Sequence, residues 1–192
     1  KEIMADRRDE TFTALLAQCS HLMTSVVRLA KPVIARVHGI ATAAGCQLVA
    51  ACDLAVASHD ARFATPGVNI GLFCSTPMVP LSRAVAPQHA MQMLLTGEAI
   101  DAATAHRMGL VNRVVAPGEL DAAVAELAGQ IASKSPLVLA IGKAAFYRQA
   151  EMDLDAAYAY AGEVMALNML KRDAGEGIEA FIEKRQPRWE GR

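Results

Sequence analysis

The sequence predicts an α/β fold followed by an all-helical C-terminal region. Short apolar runs of strand type alternate with helical stretches as far as residue 115, and beyond Gly118 only helical periodicity remains. With 192 residues, 53% of them hydrophobic, the chain can bury a substantial core. We therefore expect a mixed region over residues 1–116 and a helical region over residues 117–192.

The first elements follow from the spacing of apolar side chains. Apolar residues from Phe12 to Val27 recur three and four positions apart, which predicts an amphipathic helix over residues 7–29. Pro32 ends that helix, and the apolar run Val33–Val37 is predicted as a short buried strand.

A turn, a helix and two strands come next. His38-Gly39 begins the turn, and a helix lined with small residues is predicted from about Ala43 to Cys52. Leu54–Ala57 is predicted as a second buried strand. Arg62–Ala64 is predicted as a shorter strand, which Pro66-Gly67 ends.

Further helices and one strand complete the chain. Gly109 is predicted to cap a helix C-terminus, and Leu110–Val115 is predicted as the strand after it. One helical face after Gly118 carries Leu120, Val124, Leu127 and Ile131. The other helices are predicted near residues 76–85, 87–96, 101–108, 136–150, 154–171 and 175–185.

Composition argues against several classes of function. The formal net charge of −1 and the lack of a Lys/Arg block disfavour nucleic acid as a partner. Four cysteines without a C-x-x-C pair, and no H-E-x-x-H, predict no metal site. The apolar stretch Ile40–Ala57 is interrupted by Gly45, Gln47 and Asp53, which favours a buried segment over a membrane span. Free cysteines and the absence of a signal core predict a cytoplasmic protein.

The stretch Lys31–Gly67 is the most informative for chemistry. Its first half combines a strand, a tight turn and a helix N-terminus lined with small residues. Such a geometry points exposed backbone N–H groups at a ligand oxygen. Gln47 occupies the helix where a proton-transferring side chain is expected. The segment therefore predicts a site that holds a polarised carbonyl without the usual acid and base.

Four motifs of the chain resemble the enoyl-CoA hydratase/isomerase (crotonase) superfamily, over essentially its whole length. They are K-P-V-I-A-x-V-x-G-x-A-x-x-x-G-C, C-D-L-A-V-A-S, T-G-E-A-I-D-A-A-T-A-H-R-M-G-L-V-N-R-V-V and E-A-F-I-E-K-R-Q-P. The resemblance implies a spiral of ββα units with a C-terminal helical region that packs in homotrimers, often paired into hexamers. It implies acyl-CoA thioester substrates, with coenzyme A as part of the substrate and no tightly bound cofactor.

The resemblance also implies an oxyanion hole of two backbone N–H groups that stabilises a thioester enolate. Preorganised donors of this kind contribute about 3 kcal/mol each in comparable sites. The second donor falls on the backbone N–H of Ala44, where the family usually has glycine. The first donor lies in a loop just before the position of Lys1-Glu2-Ile3, so we expect the chain as given to lack the first ββα turns.

The family's hydratases deliver water with two glutamates, one as base and one as acid at carbon. By alignment the first falls on Gln47 and the second on Gly67. A glutamine can hold a water but cannot take its proton at neutral pH, and a glycine has no side chain. Two-glutamate hydration is therefore not supported. A-T-A-A-G-C-Q with F-A-T-P-G resembles the enoyl-CoA hydratase domain-containing subgroup, which lacks both glutamates.

Other side chains are weaker candidates for the pocket. Cys74 and Ser75 fall where other family members have a pocket-lining acid or a turn, and Cys74 could act as a weak acid or a nucleophile. The alternatives are a small buried thiol, and an N-cap by Ser75 or Thr76. His38 could approach the pocket or simply occupy the turn, and Asp53 is predicted to be structural.

Phe181 and Lys184 match family positions that contact the CoA nucleotide, often from a neighbouring subunit. The alternative is a core phenylalanine and a solvated lysine, as on any amphipathic helix.

Two hypotheses of different classes remain open. The first is an enzyme that acts on an acyl-CoA thioester through enolate stabilisation, by isomerisation, decarboxylation, thioester hydrolysis or slow hydration. The second is a non-catalytic acyl-CoA-binding or scaffold protein, which the loss of both carboxylates favours. A protease-like use of the fold is disfavoured because no serine with a base partner is marked in the sequence.

Overall fold

The computed structural model describes residues 8–192 of the chain. Its first helix, α1, covers Asp9–Arg28, which confirms the helix predicted over residues 7–29 apart from its ends. Met23 is buried on this helix. The segment Lys1-Glu2-Ile3, on which the expected start inside the fold depends, lies outside the described residues.

Six strands of the described part form two three-stranded sheets. They are β1 (Ile34–Val37), β2 (Ile40–Thr42), β3 (Leu54–Ser58), β4 (Arg62–Ala64), β5 (Ile100–Asp101) and β6 (Arg113–Val115). The first sheet has the parallel order β1-β3-β6, and the second has the order β2-β4-β5, with β5 antiparallel to β4. Each successive pair of strands adds one strand to each sheet. This confirms the predicted spiral of ββα units.

Helices connect the strand pairs, and one further helix lies within the last pair, between β5 and β6. They are α2 (Ala44–Ala51), α3 (Ser75–Ala84), α4 (Pro87–Thr96) and α5 (Ala102–Met108), with 3-10 turns at Pro66–Ile70 and Pro117–Glu119. Gly109 ends α5 with a φ of 89°, a left-handed conformation that favours glycine, so the predicted cap is confirmed.

The shortest elements differ from the prediction. β2 and β5 were not predicted, because these two short segments become strands through pairing with β4. The 3-10 turn at Pro66–Ile70 was not predicted either. The strand predicted over Leu110–Val115 is reduced to Arg113–Val115. The amide of Leu110 still donates to the Ala105 carbonyl at 2.9 Å, so the chain finishes the helix before it pairs.

Polar side chains fasten the strand ends of the first sheet. Asp53 Oδ2 accepts a hydrogen bond from the Val33 amide at 2.6 Å, which confirms the structural role predicted for Asp53. Asn112 Oδ1 accepts from the Ala55 amide at 2.8 Å, and the Asn112 amide donates to the Ala55 carbonyl at 2.9 Å. The asparagine of the G-L-V-N motif therefore substitutes for a strand partner.

The rest of the chain is helical, as predicted. The helices are α6 (Leu120–Ala132), α7 (Pro136–Gln149), α8 (Leu154–Met169) and α9 (Arg172–Glu183). The fold divides into two compact units. The first contains α1 up to Val27 and residues 33–124, and the second contains residues 28–32 and 125–192. The domain boundary predicted near Ala116 stays a prediction.

The segment after α9 folds back within the second unit. The buried Asp173 accepts hydrogen bonds from the Ser135 hydroxyl and from the amides of Glu190 and Gly191. Trp189 donates its indole N–H to the Ser133 carbonyl at 2.8 Å. We call this arrangement the C-terminal clamp. Within residues 8–192, no helix is long and apolar enough to cross a membrane.

Candidate functional site

The turn between β2 and α2 holds a strained backbone. Ala43 has φ 49° and ψ −114°, a conformation that residues with a Cβ rarely adopt. Its amide donates to the Ala64 carbonyl at 2.9 Å, and its carbonyl accepts from the Gln47 amide at 3.0 Å. Ala44 follows as the first residue of α2, so its own N–H has no intrahelical acceptor. The sequence drew attention to Ala44, but the strain that orients this amide lies at Ala43.

Gln47 lies inside the fold, one turn along α2. The residue is only 4% exposed, so Gln47 is not a surface residue of the helix. The thiol of Cys19, on α1, lies 3.7 Å from Gln47 Oε1 and donates a weak hydrogen bond to it. His38, by contrast, is exposed in its turn. The amide of Gln47 is therefore held in a fixed place, whereas His38 is a turn residue.

Gly67 has no space for a side chain. A Cβ built there would lie 2.5 Å from the Leu72 carbonyl oxygen and 2.8 Å from Cys74 Sγ. The Leu72 amide donates to the Gly67 carbonyl at 2.9 Å, so the close approach is part of a hydrogen-bonded turn. The position that the resemblance predicts to match the family's second glutamate therefore leaves no space for a side chain.

Cys74 fills the space beside Gly67. The residue is 8% exposed, and the Gly67 amide donates to its sulfur at 3.3 Å. Cys74 also occupies the N-cap position of α3, so the prediction that Ser75 or Thr76 caps this helix is wrong. Ser75 is the first helical residue, and its hydroxyl donates to the Phe73 carbonyl at 3.3 Å instead.

Two buried side chains beside this region were not singled out by the sequence. Cys46 on α2 is fully buried. Burial, followed by the nearby Cys74, raises the pKa of its thiol to about 12, although a hydrogen bond with the Ala64 backbone acts in the opposite direction. Thr65 is also fully buried, and its hydroxyl has no hydrogen-bond partner among the described residues. No residue pattern marks either one, because burial of a single side chain depends on long-range packing.

Phe181 and Lys184 belong to the second unit. Phe181 is 84% exposed, so the alternative of a core phenylalanine is wrong. Lys184 is exposed and ends α9 in a left-handed conformation with φ 56°. Their contact with CoA stays a prediction.

The second unit also contains a cavity of about 670 Å³ at the end of α9. Its charged walls are paired internally: Arg185 contacts the Glu176 carboxylate with two nitrogens, at 2.6 and 3.1 Å, and Arg172 contacts Glu190 at 2.7 Å. Arg185 thereby lowers the pKa of Glu176 to about 2. Across residues 8–192, no group of three His, Cys, Asp or Glu side chains is arranged to hold a metal ion.

The two sheets, each extended by one strand from every strand pair, and the strained turn at the start of α2 define a crotonase-fold protein. The family model described as Enoyl-CoA hydratase/isomerase matches residues 1–192, and the chain belongs to this family. A crystal structure of an enoyl-CoA hydratase from Mycobacterium smegmatis superposes with a TM-score of 0.96 at 55% identity, over 98% of this chain and 73% of that one.

Two curated relatives extend the comparison. The enoyl-CoA hydratase domain-containing protein 3 of Rattus norvegicus is 49% identical over 98% of this chain, and the crotonyl-CoA hydratase of Syntrophomonas wolfei is 40% identical over 81%. The chain spans 63% and 60% of their respective lengths. The rat relative is named as mitochondrial, which overturns the cytoplasmic location expected from the sequence.

Proposed function

We propose that this chain forms the enolate-stabilising part of an enzyme that acts on acyl-CoA thioesters. The observation that carries the proposal is the strained Ala43, which presents the free amide of Ala44 at the start of α2. A backbone N–H held in place before the reaction stabilises an oxyanion without the cost of reorienting a dipole. The thioester oxygen of an enolate is the acceptor that such a donor fits.

The same geometry supports enolate chemistry at the α-carbon better than two-carboxylate hydration. Gln47, at the first glutamate position, is buried and can hold a water or a substrate oxygen through its amide. Gly67, at the second position, leaves no space for a carboxyl group. Among the open reactions, isomerisation and decarboxylation need the fewest additional groups, because they begin with loss of a proton or of a carboxyl group at the α-carbon.

The substrate would bring coenzyme A with it, and we propose no other cofactor. The exposed Phe181 and Lys184 support a contact with the CoA nucleotide, because an exposed aromatic ring and an ammonium group suit an adenine and a phosphate. Beside the Gly67 turn, Ile70, Leu72 and Phe73 are exposed and offer an apolar surface for an acyl chain. We propose a homotrimer or a hexamer as the working assembly.

A second candidate function is a non-catalytic acyl-CoA-binding or scaffold protein. The packing at Gly67 favours it, since both positions that align with glutamates lack a carboxylate. The two candidates differ in what the Gln47 side chain does. In an enzyme, Gln47→Ala lowers turnover more than it lowers affinity for CoA, whereas in a binding protein it has no turnover to lower.

The proposal is tested by removing the carbonyl oxygen from the ligand. Butyryl-CoA and its thioether analogue are titrated into the full-length protein by calorimetry, with free CoA as the control for nucleotide contacts. We expect the thioether to bind about tenfold more weakly, because loss of the hydrogen bonds to the carbonyl costs about 1.4 kcal/mol. Equal affinities would contradict the oxyanion hole. Hydration of crotonyl-CoA, followed by loss of its conjugated absorbance, then shows how far the missing glutamates limit turnover.

A further inference from the structure

The proposed enolate needs a group that moves a proton at the α-carbon, and Gly67 and Gln47 cannot do this. A glycine has no side chain, and an amide neither gives nor takes a proton near neutral pH. The sulfur of Cys74, however, lies 2.8 Å from the point at which a Cβ of residue 67 would begin. A side chain that starts seven residues later therefore fills the space that a side chain at position 67 would enter.

We propose that the Cys74 thiol carries the proton to and from the α-carbon of the bound acyl-CoA thioester. This inference rests on the proposed function and names the acid–base group of the same site. The Gly67 amide, which donates to Cys74 Sγ at 3.3 Å, holds the sulfur in place within the turn. Cys74 as a whole residue is 8% exposed, whereas Cys46 is fully buried.

The other polar side chains around this turn do not fit the role. Thr65 carries a hydroxyl, which does not ionise near neutral pH. Cys46 is fully buried, and burial together with the nearby Cys74 raises the pKa of its thiol to about 12, so it stays protonated. Cys46 is therefore a matched control, since it is a second thiol in the same part of the fold without access to a ligand.

Thr65 is a second polar group of this segment that lacks a partner within the described residues. Its hydroxyl is fully buried and has no hydrogen-bond partner among residues 8–192, although it lies only two residues before Gly67. Leaving a buried hydroxyl unpaired costs about 1–3 kcal/mol, a cost that a ligand oxygen or a water beside the turn would remove. The position of Thr65 in the sequence links this unpaired group to the segment that faces the Cys74 sulfur.

The step balances without a further reactant. The Cys74 thiol first releases its proton to solvent. The Cα–H bond then breaks, its electron pair moves into the enolate and onto the thioester oxygen, and the proton passes to the sulfur to form S–H. In the reverse direction the S–H proton returns to carbon and the thioester carbonyl is restored. No atom is oxidised or reduced. In deuterated water the thiol exchanges with solvent, so deuterium accumulates at the α-carbon.

The test is deuterium exchange into butyryl-CoA by the full-length protein, measured by mass spectrometry. Wild type is expected to exchange faster than buffer, and Cys74→Ala is expected to be about 100-fold slower or more, within the usual range for loss of a general acid–base. Cys74→Ser keeps the size of the side chain and is expected to lose the same activity. Cys46→Ala is expected to retain exchange, and calorimetry is expected to show unchanged butyryl-CoA affinity for all three variants.

Each other outcome overturns the inference in a recognisable way. If both Cys74 variants exchange at the rate of wild type, the enolate chemistry remains and the thiol has no part in it. If Cys46→Ala loses as much exchange as Cys74→Ala, packing rather than proton transfer explains the effect. If wild type does not exceed buffer while the thioether analogue also binds as well as the thioester, the proposed function fails together with the inference.

Discussion

At the scale of single residues, Ala43 is a strained residue next to the candidate site, and its strain lowers the stability of the fold. A non-glycine residue at φ 49° and ψ −114° costs roughly 1–3 kcal/mol and persists only when its surroundings impose it. The surroundings here are two hydrogen bonds, to the Ala64 carbonyl and from the Gln47 amide. If the backbone of Ala43 returned to an unstrained conformation, the Ala44 N–H would point in a different direction. The strain is therefore linked to the proposed oxyanion hole.

Replacing Ala43 by glycine is expected to stabilise the protein. Glycine adopts positive φ without a Cβ clash, so the strain is relieved, although part of the gain is offset by the greater freedom of glycine in the unfolded chain. We expect the free energy of unfolding, measured with urea, to rise by about 1 kcal/mol.

Ala44→Gly is the matched control for that substitution. Ala44 lies in the helix, where glycine is less favourable than alanine by up to about 1 kcal/mol, so a small loss of stability is expected. A loss of stability for Ala43→Gly as well would show that the positive φ is not a source of strain.

At the scale of elements, the C-terminal clamp is the clearest electrostatic device of the chain. The carboxylate of Asp173, only 1% exposed, accepts one hydroxyl and two backbone amides, and its own amide donates to the Arg192 carbonyl at 3.0 Å. The Ser135 hydroxyl, followed by the Glu190 amide, lowers the pKa of Asp173 below its ordinary value of 3.8. The start of α9 and the chain after it are therefore joined through one ionised group.

Asp173→Asn is expected to lower the midpoint of urea unfolding at pH 7. A carboxyl whose pKa is lower in the folded state stabilises the fold above its unfolded-state pKa, and this contribution is lost as pH falls through the folded-state pKa. The difference between wild type and variant should therefore be largest above about pH 5 and shrink towards pH 2.

Asp155→Asn is the control for the clamp, since Asp155 is an exposed aspartate in the first turn of α8. It is expected to change the midpoint little at either pH. If the unfolding midpoints of wild type and Asp173→Asn differ by the same amount at pH 7 and at pH 2, the ionised carboxylate is not what stabilises the clamp.

At the scale of the whole molecule, the C-terminal helices have more apolar surface than one chain covers. No residue of α8 is buried, although the helix is rich in Leu, Met, Ala and Tyr. Its large exposed apolar residues are Leu154, Tyr158, Met165, Leu167 and Met169, with Leu170 just after it. An apolar helix of this kind is expected to be covered by another surface, as the proposed homotrimer or hexamer would provide.

Adding charge to this face is expected to reduce self-association. Native mass spectrometry should detect three or six copies of the wild-type protein, and Leu167→Glu with Leu170→Glu should shift the population towards single chains. The control is Gln88→Glu, which adds negative charge at an exposed position of the first unit. An unchanged mass for the double variant would exclude this face from the interface.

The predictability of the site can be judged from its particular residues. Motif spacing in the sequence selects Gln47, Gly67 and Ala44 as candidate site residues, and their roles stay predictions. The strain at Ala43 and the orphaned hydroxyl of Thr65 were not found, because backbone torsion and the pairing of a buried hydroxyl depend on the neighbours of each residue. The cap at Ser75 was predicted wrongly because Cys74 takes that position while it fills the space beside Gly67.

The sequence alone determined the α/β spiral, the long helices and the family, because apolar periodicity and motif order are properties of the chain itself. The tertiary structure decided the short strands β2 and β5, which exist only through pairing with β4. It also decided that a thiol from residue 74 occupies the space beside Gly67. The physical reason is that periodicity records which face of an element is buried, whereas the identity of the atoms that meet there follows from long-range packing.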